Sequence, residues 1–310
     1  MKKYLSKILI CPVCKFNLEI KKKSQISCVN KKCIHCITSP FKHINSKPLL
    51  ISELLCDTVF DSSNITNVNR SNKIINTILQ KLIGDNEITK NNCSKFLYAL
   101  SKINNTKRIL VIGSGKPGEG TSKLWKDESF FKIGIDIYES RHVDIIADAH
   151  YLPFADETFD GIWIQAVLEH VASPTVVVEE IHRVLVKNGI VYSEIPFMQQ
   201  VHEGGYDFTR FTLVGHRYLF KKFKHISSGN VLGPEIALAW SIKYLIWAIF
   251  RSRYLAKIIG ILLILIFKPL KFFVSKKSAF DSSSGTFLLS SKNDKEISQK
   301  QAVNFYKGMV

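Results

Sequence analysis

The stretch ILVIGSGKPGEG, Ile109 to Gly120, constrains this chain more than any other. Four apolar residues give a buried strand, and glycines at 113, 115, 118 and 120 follow it at once, so the backbone turns where something can approach it closely. Short β-rich runs recur after it at Lys132–Ile135, Val143–Ala147, Gly161–Gln165 and Ile190–Ile195. Between the last two, Val177, Ile181, Val184 and Leu185 fall at helical spacing after the cap Ser173-Pro174 and before Gly189, a helix stop. Strands alternating with amphipathic helices predict an α/β fold, a doubly wound, Rossmann-like parallel sheet. Ligands of such sheets bind at the carboxyl ends of the strands, where the glycine loop lies.

The glycines alone do not select the ligand. Gly113-x-Gly115-x-x-Gly118 matches a dinucleotide fingerprint, but no Lys-Ser or Lys-Thr closes the loop, which argues against a triphosphate site. Asp136 ends the second strand, where a carboxylate accepts both ribose hydroxyls of either NAD or S-adenosylmethionine.

The stretch DIIADAHYLPFADETFDGIWIQAVLEHV separates the two. Asp148 after the third strand, Leu152-Pro153-Phe154, Asp156, Phe159-Asp160 and Leu168-Glu169-His170-Val171 resemble the class I S-adenosylmethionine-dependent methyltransferases, and EEIHRVLVKNGIVYSEIP continues the likeness to Pro196. That resemblance implies a seven-stranded sheet. It assigns Gly113 and Gly115 to the methionine end of the cofactor, Asp136 to the ribose, Asp148 and the Ala149 amide to the adenine, and Gln165 to the methionine moiety. Val111 stands where many members carry an acid.

After the fifth strand, EIPFMQQVHEGGYDFTRFTLVGHRYLF is dense in His202, Glu203, Tyr206, Asp207, Arg210 and His216, with Gly204-Gly205 as a flexible turn. It resembles a loop of methyltransferases from bacterial surface-polysaccharide gene clusters, and so implies a sugar, glycan or lipid-linked acceptor. Methyl transfer is an in-line displacement in which most catalysis can be positioning, helped by a base when the acceptor is a hydroxyl. His202 is the expected base, since a neutral imidazole exists at working pH. Asp207 or Glu203 would orient it, and Arg210 would hold an anionic sugar or phosphate. His170 is a second candidate for the same pocket.

Seven cysteines are unevenly spread: Cys11, Cys14, Cys28 and Cys33 crowd the start, with Cys36 close behind. The opening MKKYLSKILICPVCK does not read as a signal peptide, so the thiols are expected reduced in a cytoplasmic protein, and clustered reduced cysteines point to metal. Cys11-Pro-Val-Cys14 is one zinc knuckle; Cys28 with Cys33, Cys33 with Cys36, or His35 could complete the site. The leader resembles the zinc-ribbon-like domain that precedes some bacterial methyltransferases, and that resemblance implies Cys11, Cys14, Cys28 and Cys33 as ligands of a structural Zn2+.

The net charge of +17 belongs to two appended pieces. Met1–Pro48 holds eleven lysines against Glu19, and Thr212–Lys277 holds twelve lysines and arginines against Glu235, which accounts for more than the whole excess. The second piece includes two apolar runs, IALAWSIKYLIWAIF and IIGILLILIF, separated near Arg251–Tyr254. Neither run reaches the ~20 residues of a membrane span. Flanked by Trp240, Trp247 and cations, they predict an interfacial helical hairpin on an anionic leaflet; a buried lid or a dimer interface is the other reading.

The expected organisation is a zinc-ribbon-like leader (1–52), a linker with covering helices (53–106), the methyltransferase core (107–232 and 278–310) and the hydrophobic hairpin inserted at 233–277. The expected function is O-methylation of a sugar or lipid-linked glycan by a protein peripheral at the inner face of the membrane. An RNA methyltransferase gripping phosphates with its basic leader, and a non-catalytic binding module of the same fold, are the alternatives; the chain carries no further RNA-methyltransferase motif.

Overall fold

In a computed structural model, the structure describes residues 5–21, 25–37, 40–52, 55, 86–103 and 107–309. The expected linker and covering helices lie mostly outside these residues; the described part forms a helix, Glu87–Ser101, capped by the Asn86 side chain.

A two-stranded hairpin, β1 (Leu18–Lys21) with β2 (Gln25–Cys28), stands apart from one large mixed sheet. The large sheet contains β3 (Lys42–Ile44), β4 (Lys47–Leu49), β5 (Arg108–Ile112), β6 (Phe131–Asp136), β7 (Ile145–Ile146), β8 (Phe159–Gln165), β9 (Leu185–Pro196), β10 (Phe223–Leu232) and β11 (Gly285–Lys292). Its order is β10-β11-β9-β8-β5-β6-β7-β4-β3. The central strands β9, β8, β5, β6 and β7 are parallel, whereas β11 runs antiparallel to both β9 and β10.

The sheet therefore has nine strands rather than the expected seven. Residues 108–292 supply seven of them; the leader adds β3 and β4, because Leu49 pairs in parallel with Ile146 and the Leu50 amide donates to the Ile146 carbonyl at 2.8 Å. Leu9 bridges Phe154, and the Ile10 amide donates to the Pro153 carbonyl at 3.0 Å. Leu5, Leu9 and Cys11 share one buried cluster with Leu152, Phe154 and Ile162. Adjacency in this sheet crosses a long stretch of sequence, so local pattern could not reveal it.

Both faces of the sheet are covered, which is why its strands read as continuous apolar runs. On one face the helix Pro174–Val184 buries Val177, Val178, Ile181 and Val184. On the other, Phe96, Leu97 and Leu100 of Glu87–Ser101 pack with Trp163 and Tyr192, whose rings stack at 4.0 Å. The first of these helices ends at Val184, ahead of Gly189, because Leu185 already turns extended and starts β9.

Two helices, Pro234–Phe250 and Arg253–Phe267, lie in the connection between β10 and β11. They separate at Arg251, whose backbone is left-handed (φ 51°), and Ser252 caps the second helix by accepting from the Leu255 amide. Their apolar side chains are largely uncovered: Leu245, Ile249, Phe250, Leu262 and Ile266 are all exposed, and Phe273 just beyond them is 87% exposed. Among the described residues no helix is long and apolar enough to cross a membrane.

Candidate active site

The carboxyl ends of β5, β6, β8 and β9 open into a cavity of about 740 Å³. Gly113 stands at its mouth with φ +76°, and a Cβ there would come within 2.2 Å of Val167, so both the turn and the close approach require glycine. The Gly115 amide donates to Asp136 Oδ2 at 2.8 Å and the Ile137 amide donates to Oδ1 at 2.8 Å. A Cβ on Gly115 would lie 2.7 Å from that same Oδ2, so the absent side chain is what lets the loop reach the carboxylate. Asp136 is thus aimed along the cavity wall by backbone donors.

Asp148 caps the turn after β7. Its Oδ1 accepts from the His150 amide at 2.9 Å and lies 2.7 Å from His150 Nδ1, and Ala149 beside it also lines the cavity. Gln165, at the end of β8, accepts from Trp163 Nε1 and donates to the Glu119 carbonyl and to Glu194 Oε1 at 3.2 Å. All six residues expected to hold the cofactor come together around one space, Gly115 through its contact with Asp136 and the other five as lining residues.

Glu194 was not singled out in the sequence. It sits opposite Gln165 in the β8–β9 register, takes hydrogen bonds from Thr89 Oγ1 (2.9 Å), Tyr192 Oη (2.6 Å) and Gln165, and lines the cavity. Burial holds its carboxyl above the usual range. Its only sequence signal was an acid near the end of the fifth expected strand, Ile190–Ile195.

The acceptor loop leaves β9 and folds over the other end of the cavity. Asp207 accepts from the His202 amide at 2.9 Å, lies 3.2 Å from His202 Nδ1, and forms a bidentate pair with Arg210. The Arg210 guanidinium holds the Asp207 carboxyl down at about 2. Arg210 also donates to the carbonyls of Gln199, Gln200 and Thr209, so it clamps the loop, and holding an anion would require giving up these bonds. The expected orienting role of Asp207 on His202 has a matching geometry; Glu203 lines the cavity nearby. His216 lies elsewhere, buried between Ser193 and Thr286 hydroxyls.

Beneath this loop lies Glu169, 1% exposed, with neither carboxylate oxygen hydrogen-bonded. Burial pushes its carboxyl up to about 8. Its backbone carbonyl accepts from the Phe208 amide at 2.8 Å and so anchors the loop. His170 Nε2 and His202 Nε2 lie 3.6 and 3.9 Å from Glu169 Oε1. The lysine-rich hairpin meets the site directly: Trp240 lines the cavity, Ser241 Oγ accepts from Gln200, and Tyr244 Oη donates to the Val201 carbonyl.

In the leader, the sulfurs of Cys11, Cys14, Cys28 and Cys33 all lie within 4.8 Å of one another. Cys11 and Cys33 are 3.8 Å apart and Cys14 and Cys28 are 3.3 Å apart, against the roughly 3.8 Å edge of a tetrahedron with 2.3 Å zinc–sulfur arms. Burial raises the Cys11 thiol to about 12 and raises Cys28 as well, so bare thiolates are disfavoured there. His35 stacks on Phe41 and pairs with Ser52, away from the four sulfurs.

Residues 110–193, from β5 through most of β9, match the family model described as Methyltransferase domain. The uncharacterized protein MJ1123 of Methanocaldococcus jannaschii is 39% identical over 98 residues, which are 29% of this chain; the chain spans 47% of that relative's length. Among solved structures, it is similar to a SAM dependent methyltransferase from Archaeoglobus fulgidus (14% identity, 71% of this chain and 100% of that one, TM-score 0.40). It is also similar to the phosphoethanolamine N-methyltransferase 2 of Haemonchus contortus in complex with phosphomonomethylethanolamine and S-adenosylhomocysteine (18% identity, 66% and 52% coverage, TM-score 0.42).

Proposed function

We propose that this protein is an S-adenosylmethionine-dependent methyltransferase that methylates a hydroxyl of a sugar or lipid-linked glycan at a membrane surface. One observation carries the reading. A single cavity is lined by Gly113, Asp136 and Asp148 at one end, by His202 at the other, and by Trp240 of an exposed apolar hairpin at its rim.

S-adenosylmethionine supplies a sulfonium-bound methyl group, and the remaining chemistry falls to the chain. Asp136 holds the ribose, Asp148 and the Ala149 amide hold the adenine, and the loop at Gly113 and Gly115 admits the methionine end. Gln165 and Glu194 face that end, and Glu194 takes over the charge that Val111 does not provide. His202, fixed by Asp207, handles the acceptor hydroxyl, and Arg210 keeps the loop closed over it. Cys11, Cys14, Cys28 and Cys33 hold a structural zinc, which suits four gathered thiols.

The hairpin supports the membrane part of the proposal. Its exposed apolar side chains adjoin Arg251, Arg253, Lys257, Lys268 and Lys271, the pairing of apolar face and cations that suits an anionic interface. Its first helix is bonded to the acceptor loop, so a substrate with a lipid tail would meet the cavity where the hairpin meets the bilayer.

Calorimetric titration with S-adenosylmethionine and S-adenosylhomocysteine tests the core of this reading. Saturable binding lost in Asp136→Ala is the expected result; no binding by folded, zinc-loaded protein would leave the binding-module reading in its place.

A further inference from the structure

We propose that Glu169, His170 and His202 form a site for a divalent first-row metal ion, placed to bind the acceptor hydroxyl of the methyl transfer.

The argument begins with where the protons are. The Tyr206 carbonyl can only accept, and His170 Nδ1 lies 2.9 Å from it, so that nitrogen carries the hydrogen of the neutral ring. His202 Nδ1 faces Asp207 Oδ2 at 3.2 Å, an oxygen of a carboxylate already paired with Arg210, so His202 is held in the same tautomer. Each ring therefore turns a bare Nε2 lone pair inward. The third partner is Glu169, buried, with no hydrogen bond to either oxygen.

Three metal-ligating groups thus face one another. Their ligating atoms lie within 4.8 Å of each other. A cation shared by the three would give the buried Glu169 oxygens the partner that they lack among the described residues. The separations of 3.6 and 3.9 Å from Oε1 to the two Nε2 atoms are too long for hydrogen bonds. Ligands on arms of about 2.1 Å stand roughly 3–3.6 Å apart, so closing on an ion needs the side chains to draw together, by about an ångström at most. The carbonyl and the carboxylate behind the two imidazoles are the outer partners that metal-bound histidines ordinarily have.

Two imidazoles and one carboxylate suit a borderline ion such as Zn2+, Mn2+ or Fe2+, and leave positions open toward the cavity that all three residues line. An acceptor hydroxyl entering such a position loses its proton to water more readily. Its oxygen pair then forms the new O–CH3 bond, and the S–CH3 pair stays on sulfur as a neutral thioether. The chemistry rests on the methyltransferase reading, and the role of His202 becomes that of a ligand instead of a proton acceptor; the ion itself is detected independently of either.

The test is a Mn2+ titration, by electron paramagnetic resonance, of protein given only the one zinc that the four cysteines take, with zinc per chain counted on a separate sample after equilibration in excess Zn2+ and desalting. Wild type should bind one Mn2+ and hold one more zinc than the four cysteines account for. Glu169→Gln and, on the exposed loop, His202→Asn should each lose that ion while keeping wild-type circular dichroism and S-adenosylmethionine affinity. Asp136→Ala should keep the ion while losing the cofactor. Neither Mn2+ nor extra zinc in wild type, or binding unchanged in both ligand variants, would overturn the site even if S-adenosylmethionine binds.

Discussion

Tyr244, on the first hairpin helix, donates its hydroxyl to the backbone carbonyl of Val201, next to His202 in the acceptor loop, across 2.6 Å. The apolar hairpin and the acceptor end of the cavity are thereby joined by a directed bond. Tyr244→Phe removes the bond and leaves the ring, at a cost of about 1 kcal/mol. The expected outcome is a several-fold rise in KM for the acceptor with S-adenosylmethionine affinity unchanged, checked by steady-state kinetics beside calorimetry.

On the proposed membrane reading, cations at the hairpin turn and beyond its second helix would set the affinity for an anionic surface, each contributing about 1 kcal/mol. Arg251→Gln combined with Lys271→Gln should weaken binding to phosphatidylserine-containing vesicles by about thirtyfold, since ~2 kcal/mol corresponds to that ratio. Zwitterionic vesicles should show little difference between the two proteins. Vesicle co-sedimentation reads both, and equal loss on the two lipids would argue against an electrostatic contribution.

Glu194 accepts from Gln165 at 3.2 Å in the part of the cavity proposed to take the methionine end of the cofactor. Glu194→Gln keeps the size of the side chain and removes the charge, and a charged hydrogen bond contributes about 1.5–3 kcal/mol. S-adenosylmethionine affinity should fall by tenfold or more, with a smaller loss for an analogue lacking the amino group. Calorimetry on the two ligands distinguishes this from general damage to the pocket.

The central strands and the glycine loop between the first two were legible in the sequence because they are local: a strand, its glycine loop and the acid after the next strand follow one another closely. The pairing of β4 with β7 was not, since Leu49 and Ile146 are brought together only by folding. Glu169 shows the same limit from another side. Its identity is plain in LEHV, but its missing partners become visible only when the loop carrying His202 folds back over it.

His216 is fully buried, and burial lowers its pKa to about 3. In the unfolded chain a histidine titrates near 6.5, so between those values the unfolded state binds the extra proton and the folded state does not. Stability is therefore complete above about pH 6.5 and falls as the pH drops, by up to ~1.4 kcal/mol per unit from this residue. Between pH 7 and pH 5 the contribution is about 2 kcal/mol. Urea unfolding of wild type and His216→Asn at both pH values should give a shallower dependence for the variant, although it starts less stable at pH 7.

Removing one sulfur from the leader should disturb the whole molecule. Cys11→Ser is expected to lose zinc and to lower the global unfolding free energy by more than about 4 kcal/mol, the range in which losses of a bound metal fall. Thermal melts followed at both the leader and Trp163 should shift together, because Leu9 and Ile10 are bonded into the segment holding Pro153 and Phe154.

The hairpin β3–β4 also decides where the large sheet ends. Without it, the two-residue β7 would present unpaired backbone beside Asp148, a bare edge near the wall of the cavity. With it, the boundary moves outward to a three-residue strand bearing Lys42, short and charged, a form of edge that resists pairing with another chain. Guarding against self-association and keeping the pocket wall in place are therefore one task in this molecule, performed by the same six residues.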